Sequence, residues 1–124
     1  MQLNLERPDY QYFLRGADGH GALVNDRRIE RSFVIAPDAL VEDWPLRDVR
    51  AMAPADLDAL FAQKPELIVL GTGATQLFPP AVVMATCLQR GIGLEAMTNA
   101  AAARTYSVLA GEGRRVVAGF VFAR

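Results

Sequence analysis

The sequence predicts an α/β domain: a mixed sheet with a buried C-terminal strand, flanking helices and an N-terminal β-hairpin region. Three observations predict it. After Arg115 the chain carries no charged residue until Arg124, and such an uninterrupted apolar run marks a central strand covered on both faces. A second aliphatic run, Leu67-Ile68-Val69-Leu70, is followed by helix and strand signals, which make one βαβ unit ending at Met97. The first third is punctuated by glycine and Asn-Asp turns between short apolar segments.

Taken in order, residues 10–15 are a strand candidate, followed by the turn formers Gly16-Ala17-Asp18-Gly19 and the short run Ala22-Leu23-Val24. Asn25-Asp26 offers a second turn, and 29–36 continues as a strand that Pro37 stops. Residues 38–52 read as a short strand and loop. Pro45 holds Trp44 extended, and Trp44 is expected to fill the edge of the core. Pro54 suits the first turn of a helix to about residue 63, with Leu57, Leu60 and Phe61 on one face. Pro79-Pro80 opens a helix that Gly91 ends, and 94–97 is a second short strand. Thr98 is a good N-cap for a helix over 99–110, with Gly111 at its C-terminal end. The last strand spans 114–123.

Length and composition fit one domain over 1–124. At 124 residues a folded chain buries roughly two thirds of the surface its unfolded form exposes, enough for a core without disulfides or metals. The 52% apolar content supplies that core. A net charge of −1 gives no bulk field to draw in nucleic acid or an anionic membrane. The arginines fall in clusters (Arg27, Arg28 and Arg31; Arg47 and Arg50; Arg114 and Arg115) among the acids Asp26, Glu30, Asp48 and Glu112. This interleaving reads as a solvated surface rather than a phosphate-binding stripe. One cysteine, Cys87, excludes an internal disulfide. The N-terminus lacks the basic start and apolar run of a signal peptide, and no apolar stretch reaches the about 20 residues a bilayer needs. The chain reads as cytoplasmic.

The segment best placed for chemistry is Gly71-Thr72-Gly73-Ala74-Thr75, at the carboxyl end of the first parallel strand. Ligands of open α/β sheets bind beyond such strand ends. Two glycines let a backbone turn with its amides exposed, and the Thr72 and Thr75 hydroxyls add hydrogen bonds, so the loop suits an anion or a carboxylate. It lacks the third glycine of a dinucleotide fingerprint and the Gly-Lys-Ser/Thr of a phosphate loop. A strand-exit turn that needs glycine sterically is the competing reading. Thr98 is expected on the same sheet edge. Arg104 lies off the inward stripe of Ala102, Tyr106 and Leu109, either as a surface charge or as a guanidinium for a ligand's or a partner's carboxylate. Glu95 interrupts an apolar strand, facing outward, pairing with an arginine, or buried as a perturbed acid. His20 sits in a turn, Cys87 reads as a small buried hydrophobe, and no cluster has metal-ligand spacing. No cofactor is called for, and the aromatics are too scattered for nucleic-acid stacking.

Three stretches, SFVIAPDAL, LIVLGTGATQLFPP and RGIGLEAMTNAAAARTYSVLAGEGRRVVAGFVF, resemble a domain family of unknown function. That family includes the mitochondrial complex I assembly factor and the adipogenesis-associated protein. The matching positions are Gly71, Thr72, Gly73, Phe78 and Pro79, then Gly93, Glu95, Met97, Thr98, Ala102, Arg104, Thr105, Tyr106 and Arg114. Ser107 departs from an expected asparagine. The resemblance implies three layers of helix, mixed sheet and additional β structure, with the last strand inside the sheet and antiparallel to its neighbours. It implies no catalytic residues. Two functions follow as expectations: a non-enzymatic protein-interaction or assembly module, or a small-molecule or anion site between the Gly71-Thr72-Gly73 loop and the helix starting at Thr98.

Overall fold

A five-stranded sheet lies at the centre, and its middle strand is the apolar run near the C-terminus. The structure, a computed structural model, describes residues 11–123. The strands are β1 (Leu14–Ala17), β2 (Ala22–Val24), β3 (Arg27–Ile29), β4 (Phe33–Ala36), β5 (Ala39–Val41), β6 (Leu67–Gly71), β7 (Gly93–Met97) and β8 (Val116–Phe120). The helices are α1 (Asp58–Phe61), α2 (Ala81–Gln89) and α3 (Asn99–Gly111). Strands β1-β2-β3 make an antiparallel sheet of their own, and the central sheet has the order β5-β4-β8-β6-β7.

β6 and β7 are parallel, as the βαβ grammar requires. β8 is buried at every residue. The expectation that it runs antiparallel to its neighbours holds on one side. It is antiparallel to β4 but parallel to β6, because α3 carries the chain back across the sheet before β8 begins. The resulting sheet is mixed, with its change of direction at the β4–β8 boundary.

Alternate residues of the central strands feed two cores. Val69, Ala118, Phe120, Phe33 and Ile35 face α3 and the three-stranded sheet. Ile68, Leu70, Val117, Val34 and Ala36 face the other side, where α1, α2 and the segment from Trp44 to Met52 pack. Phe33 stacks on Phe120 with ring centroids 5.1 Å apart. Gly119 turns its bare Cα to the second core, where a Cβ would stand 2.6 Å from the Trp44 ring. Trp44 is therefore well inside, and its indole N–H donates to the Asp56 carbonyl at 3.0 Å.

Several expected boundaries shift. Residues 29–36 are two strands in two different sheets, and the chain crosses between them at 30–32. Ser32 anchors that crossing: it is buried and accepts from the Phe122 amide at 2.9 Å. Gly16 and Ala17 belong to β1, so the first turn is tighter. Asp18 Oδ1 closes it by accepting from the His20 and Gly21 amides. The helix expected from Pro54 is a 3-10 turn, Pro54–Leu57, continued by the four residues of α1. The last strand is shorter than 114–123. Tyr10, the expected start of the first strand, lies outside the described residues, as does the stretch read for a signal peptide.

Candidate functional site

The loop leaving β6 is held by its own hydrogen bonds. Thr72 is buried, its amide donates to the Met97 carbonyl at 2.9 Å, and its hydroxyl donates to the Thr75 carbonyl at 2.7 Å. The same hydroxyl accepts the Leu77 amide at 3.1 Å. Gly73 has a φ of +107°, a conformation that favours glycine, and its amide donates to Asn99 Oδ1 at 3.0 Å. The amides expected to be exposed to a ligand are in these two cases engaged within the protein. Gly71 is needed sterically, since a Cβ there would collide with the Asn99 side chain and the Phe120 ring. The part of the loop from Gly71 to Gly73 is a structural joint.

Asn99 is the residue that sequence reasoning missed. It is fully buried at the first position of α3, and its side-chain amide donates to the Asp18 carbonyl at 3.0 Å and the Val121 carbonyl at 3.4 Å. One side chain thus ties the β1–β2 turn, the β6 exit and the end of β8 together. Its signal in the sequence was slight: a polar residue just inside an alanine-rich helix and directly after the N-cap. That cap is Thr98, which accepts the Ala101 amide at 3.2 Å.

Outside this joint lies a cavity of about 350 Å³ at the carboxyl ends of β6 and β8, walled by Gly73, Thr75, Arg47, Arg50 and Val121. Arg50 reaches Asp48 at 3.3 Å. The Arg50 amide and guanidinium hold the Asp48 carboxyl below the usual aspartate range. Arg47 makes no ion pair among the described residues.

Arg104 does not face that cavity. It is exposed on α3 and lines a separate groove of about 360 Å³ between α3 and β1, with Leu14, Ala17, Ala100 and Ala103 as apolar walls. Arg15 lines the same groove. The β1–β2 register slips between Leu14 and Gly16, so Arg15 is the extra residue of a bulge, a device that re-aims a side chain. Ser107, the position that departs from the expected asparagine, donates to the Leu14 carbonyl at 3.0 Å and so joins α3 to β1 at the groove wall. Glu95 is exposed on β7, the edge strand. The seven residues singled out in the sequence are thus divided: Gly71, Thr72, Gly73, Thr75 and Thr98 gather at one sheet end, while Arg104 and Glu95 sit elsewhere.

The model of the DUF498/DUF598 family, described as proteins of unknown function, matches residues 14–121. The chain belongs to this family. A solved structure of a Xanthomonas campestris protein is 55% identical with a TM-score of 0.84, covering 99% of this chain and 93% of its own. A Bordetella pertussis protein described as a Mth938-like domain is 27% identical with a TM-score of 0.70, over 99% of this chain and 93% of its own. A Francisella tularensis protein named 13 kDa major membrane protein is 33% identical over 69 residues, 56% of each chain. The match spans about half the length of that curated relative. Among the described residues no helix is long and apolar enough to cross a membrane.

The remaining reactive side chains of this DUF498 domain are placed as small structural parts. Cys87 is buried in α2, and burial pushes its thiol above the usual value, which keeps it protonated. His20 is in the Asp18-closed turn. Neither lines the cavities described here. What the surface offers is guanidinium groups beside apolar walls, an arrangement suited to holding anions.

Proposed function

We propose that this domain is a non-enzymatic interaction module whose α3–β1 groove receives an acidic segment of a partner protein. One observation carries the reading: Arg15 and Arg104 line a single apolar groove, and neither forms an ion pair with a described residue. A guanidinium presents a planar fork that matches a carboxylate. The walls of Leu14, Ala17, Ala100 and Ala103 accept the aliphatic stem of a glutamate or a neighbouring apolar side chain. The resemblance read from the sequence, to a family that includes the mitochondrial complex I assembly factor, suits such a role, in which a small domain holds a client rather than transforms it.

The test is a comparison of the parent with the Arg15→Ala/Arg104→Ala pair. Both side chains are exposed, so the pair is expected to keep its fold and melting temperature. A partner captured from the native host is expected to protect 14–17 and 100–107 from hydrogen exchange and to bind the pair at least about tenfold more weakly. Equal binding by the pair sinks the proposal. A small carboxylate metabolite is the second reading, favoured by a volume within the range of single-ligand pockets. It predicts the same protection without any partner.

A further inference from the structure

The sequence reads its arginine clusters as solvated because acids lie between them, and the structure shows which acids are used. Arg27 makes a bidentate pair with Glu42, at 2.7 Å from Nη1 to Oε2. Arg28 Nε donates to Glu30 at 2.7 Å, and Arg50 reaches Asp48. Arg31 and Arg47, sixteen positions apart in the chain, are left without an ion pair among the described residues. They come together because the chain crosses from the three-stranded to the central sheet at 30–32 and returns after β5. With Arg28 and Glu30 they line one opening of about 600 Å³.

We infer that Arg31 and Arg47, with Arg28 beside them, form a binding site for a phosphate monoester. This goes beyond the acidic-segment groove and uses none of its residues. Arg28 lies against the β1–β2 turn, its guanidinium so close to Gly21 that a Cβ there would stand 2.8 Å from Nη2. Its Nε is taken by Glu30 and the Asp18 carboxylate acts on the same guanidinium through its charge, so Arg31 and Arg47 are the donors on which the site rests. Arg31 and Arg47 add two positive charges that no described acid neutralises within ion-pair distance. A phosphate monoester carries nearly two negative charges at neutral pH and three acceptor oxygens, a match in charge and in donor count. On the far side, Arg31 and Arg47 also wall an adjoining cavity with Asp43 and Trp44. Glu42 lines that cavity as well and is held by Arg27, while Asp43 makes no ion pair among the described residues. A phosphate free in solution and one on a lipid headgroup present the same chemistry to the guanidinium groups.

The experiment uses the full chain and two probes. Glycerol 3-phosphate is titrated while the arginine Nε–Hε resonances are followed by NMR. Phosphatidylcholine vesicles with and without phosphatidic acid are tested by flotation. Saturable shifts of Arg31 and Arg47 with glycerol 3-phosphate are expected, and Arg31→Ala/Arg47→Ala weakens binding at least about tenfold. The Arg15→Ala/Arg104→Ala pair leaves it unchanged. Capture of the protein by phosphatidic acid vesicles through the same two arginines assigns the site to a lipid source, and solution binding alone assigns it to a soluble one. The site is rejected if neither probe binds beyond an equal ionic strength of chloride. It is also rejected if Arg31→Lys/Arg47→Lys binds as tightly as the parent, because charge without the fork would then suffice.

Discussion

At the scale of single residues the fold depends most visibly on Asn99. Its side chain accepts one amide and donates to two carbonyls while fully buried, and nothing in water replaces those partners if it is removed. Leaving buried polar groups without partners costs about 1–3 kcal/mol each, so Asn99→Ala should lose about 2–3 kcal/mol after local relaxation. Asn99→Asp is a sharper comparison. Its carboxylate still accepts from Gly73 but faces the Asp18 and Val121 carbonyls with no hydrogen to give. Urea denaturation of the three proteins checks this, and an aspartate variant as stable as the parent would contradict the assigned donor role. The loop at Gly71 to Thr75 was legible as a special place from its glycines and threonines. What it does was not legible, because a Gly-Thr-Gly sequence looks the same whether its amides greet a ligand or a buried asparagine.

At the scale of elements, charged residues clip the strands together at the surface. Arg27 of β3 pairs with Glu42 just after β5, and Arg115 just before β8 reaches Asp38 in the β4–β5 turn at 2.7 Å. The side-chain hydrogen bonds from these arginines lower the Glu42 and Asp38 carboxyls below their usual values of 4.5 and 3.8. Backbone hydrogen bonds from His20 and Gly21 lower Asp18 in the same way. Each carboxyl ionises more readily in the folded chain than in the unfolded one. The stability they add is therefore present above the usual carboxylate values and is lost as pH falls through the lowered ones. Because these groups are exposed, the effect is modest and screened by salt. The melting temperature should be flat from pH 7 to about 5 and fall below about 4. Glu42→Gln should flatten that fall, and an unchanged acid limb would remove the Arg27–Glu42 clip from the account. Strands β6 and β7 were readable as apolar runs beside a glycine, β8 as an apolar run bounded by Arg115 and Arg124, and helix α3 from its Thr98 cap. The separation of β3 from β4 was not, since Glu30-Arg31-Ser32 carries no glycine or proline to mark a crossing between sheets. The signal there is tertiary, supplied by Ser32 meeting Phe122 ninety positions away.

At the scale of the whole molecule, the two cores share one wall. Val69, Ala118 and Phe120 of β6 and β8 serve the α3 side, while Ile68, Leu70 and Val117 of the same strands serve the side with α1, α2 and Trp44. Loss of β8 would strip both cores at once and break the β4 and β6 ladders together. The layers should therefore unfold in one transition rather than peel apart. Trp44, the single tryptophan, reports one core by fluorescence, and far-UV circular dichroism reports the helices of both. Ile35→Val is buried on the α3 side and should cost about 0.5–1.5 kcal/mol. Leu60→Ala is buried on the Trp44 side and should cost about 2–5 kcal/mol. Each variant should move the fluorescence and dichroism midpoints by the same amount, although Ile35 belongs to the core that Trp44 does not report. A shift seen by dichroism alone in Ile35→Val would mean that the two cores melt separately. It would also mean that β8, for all its burial, does not couple them.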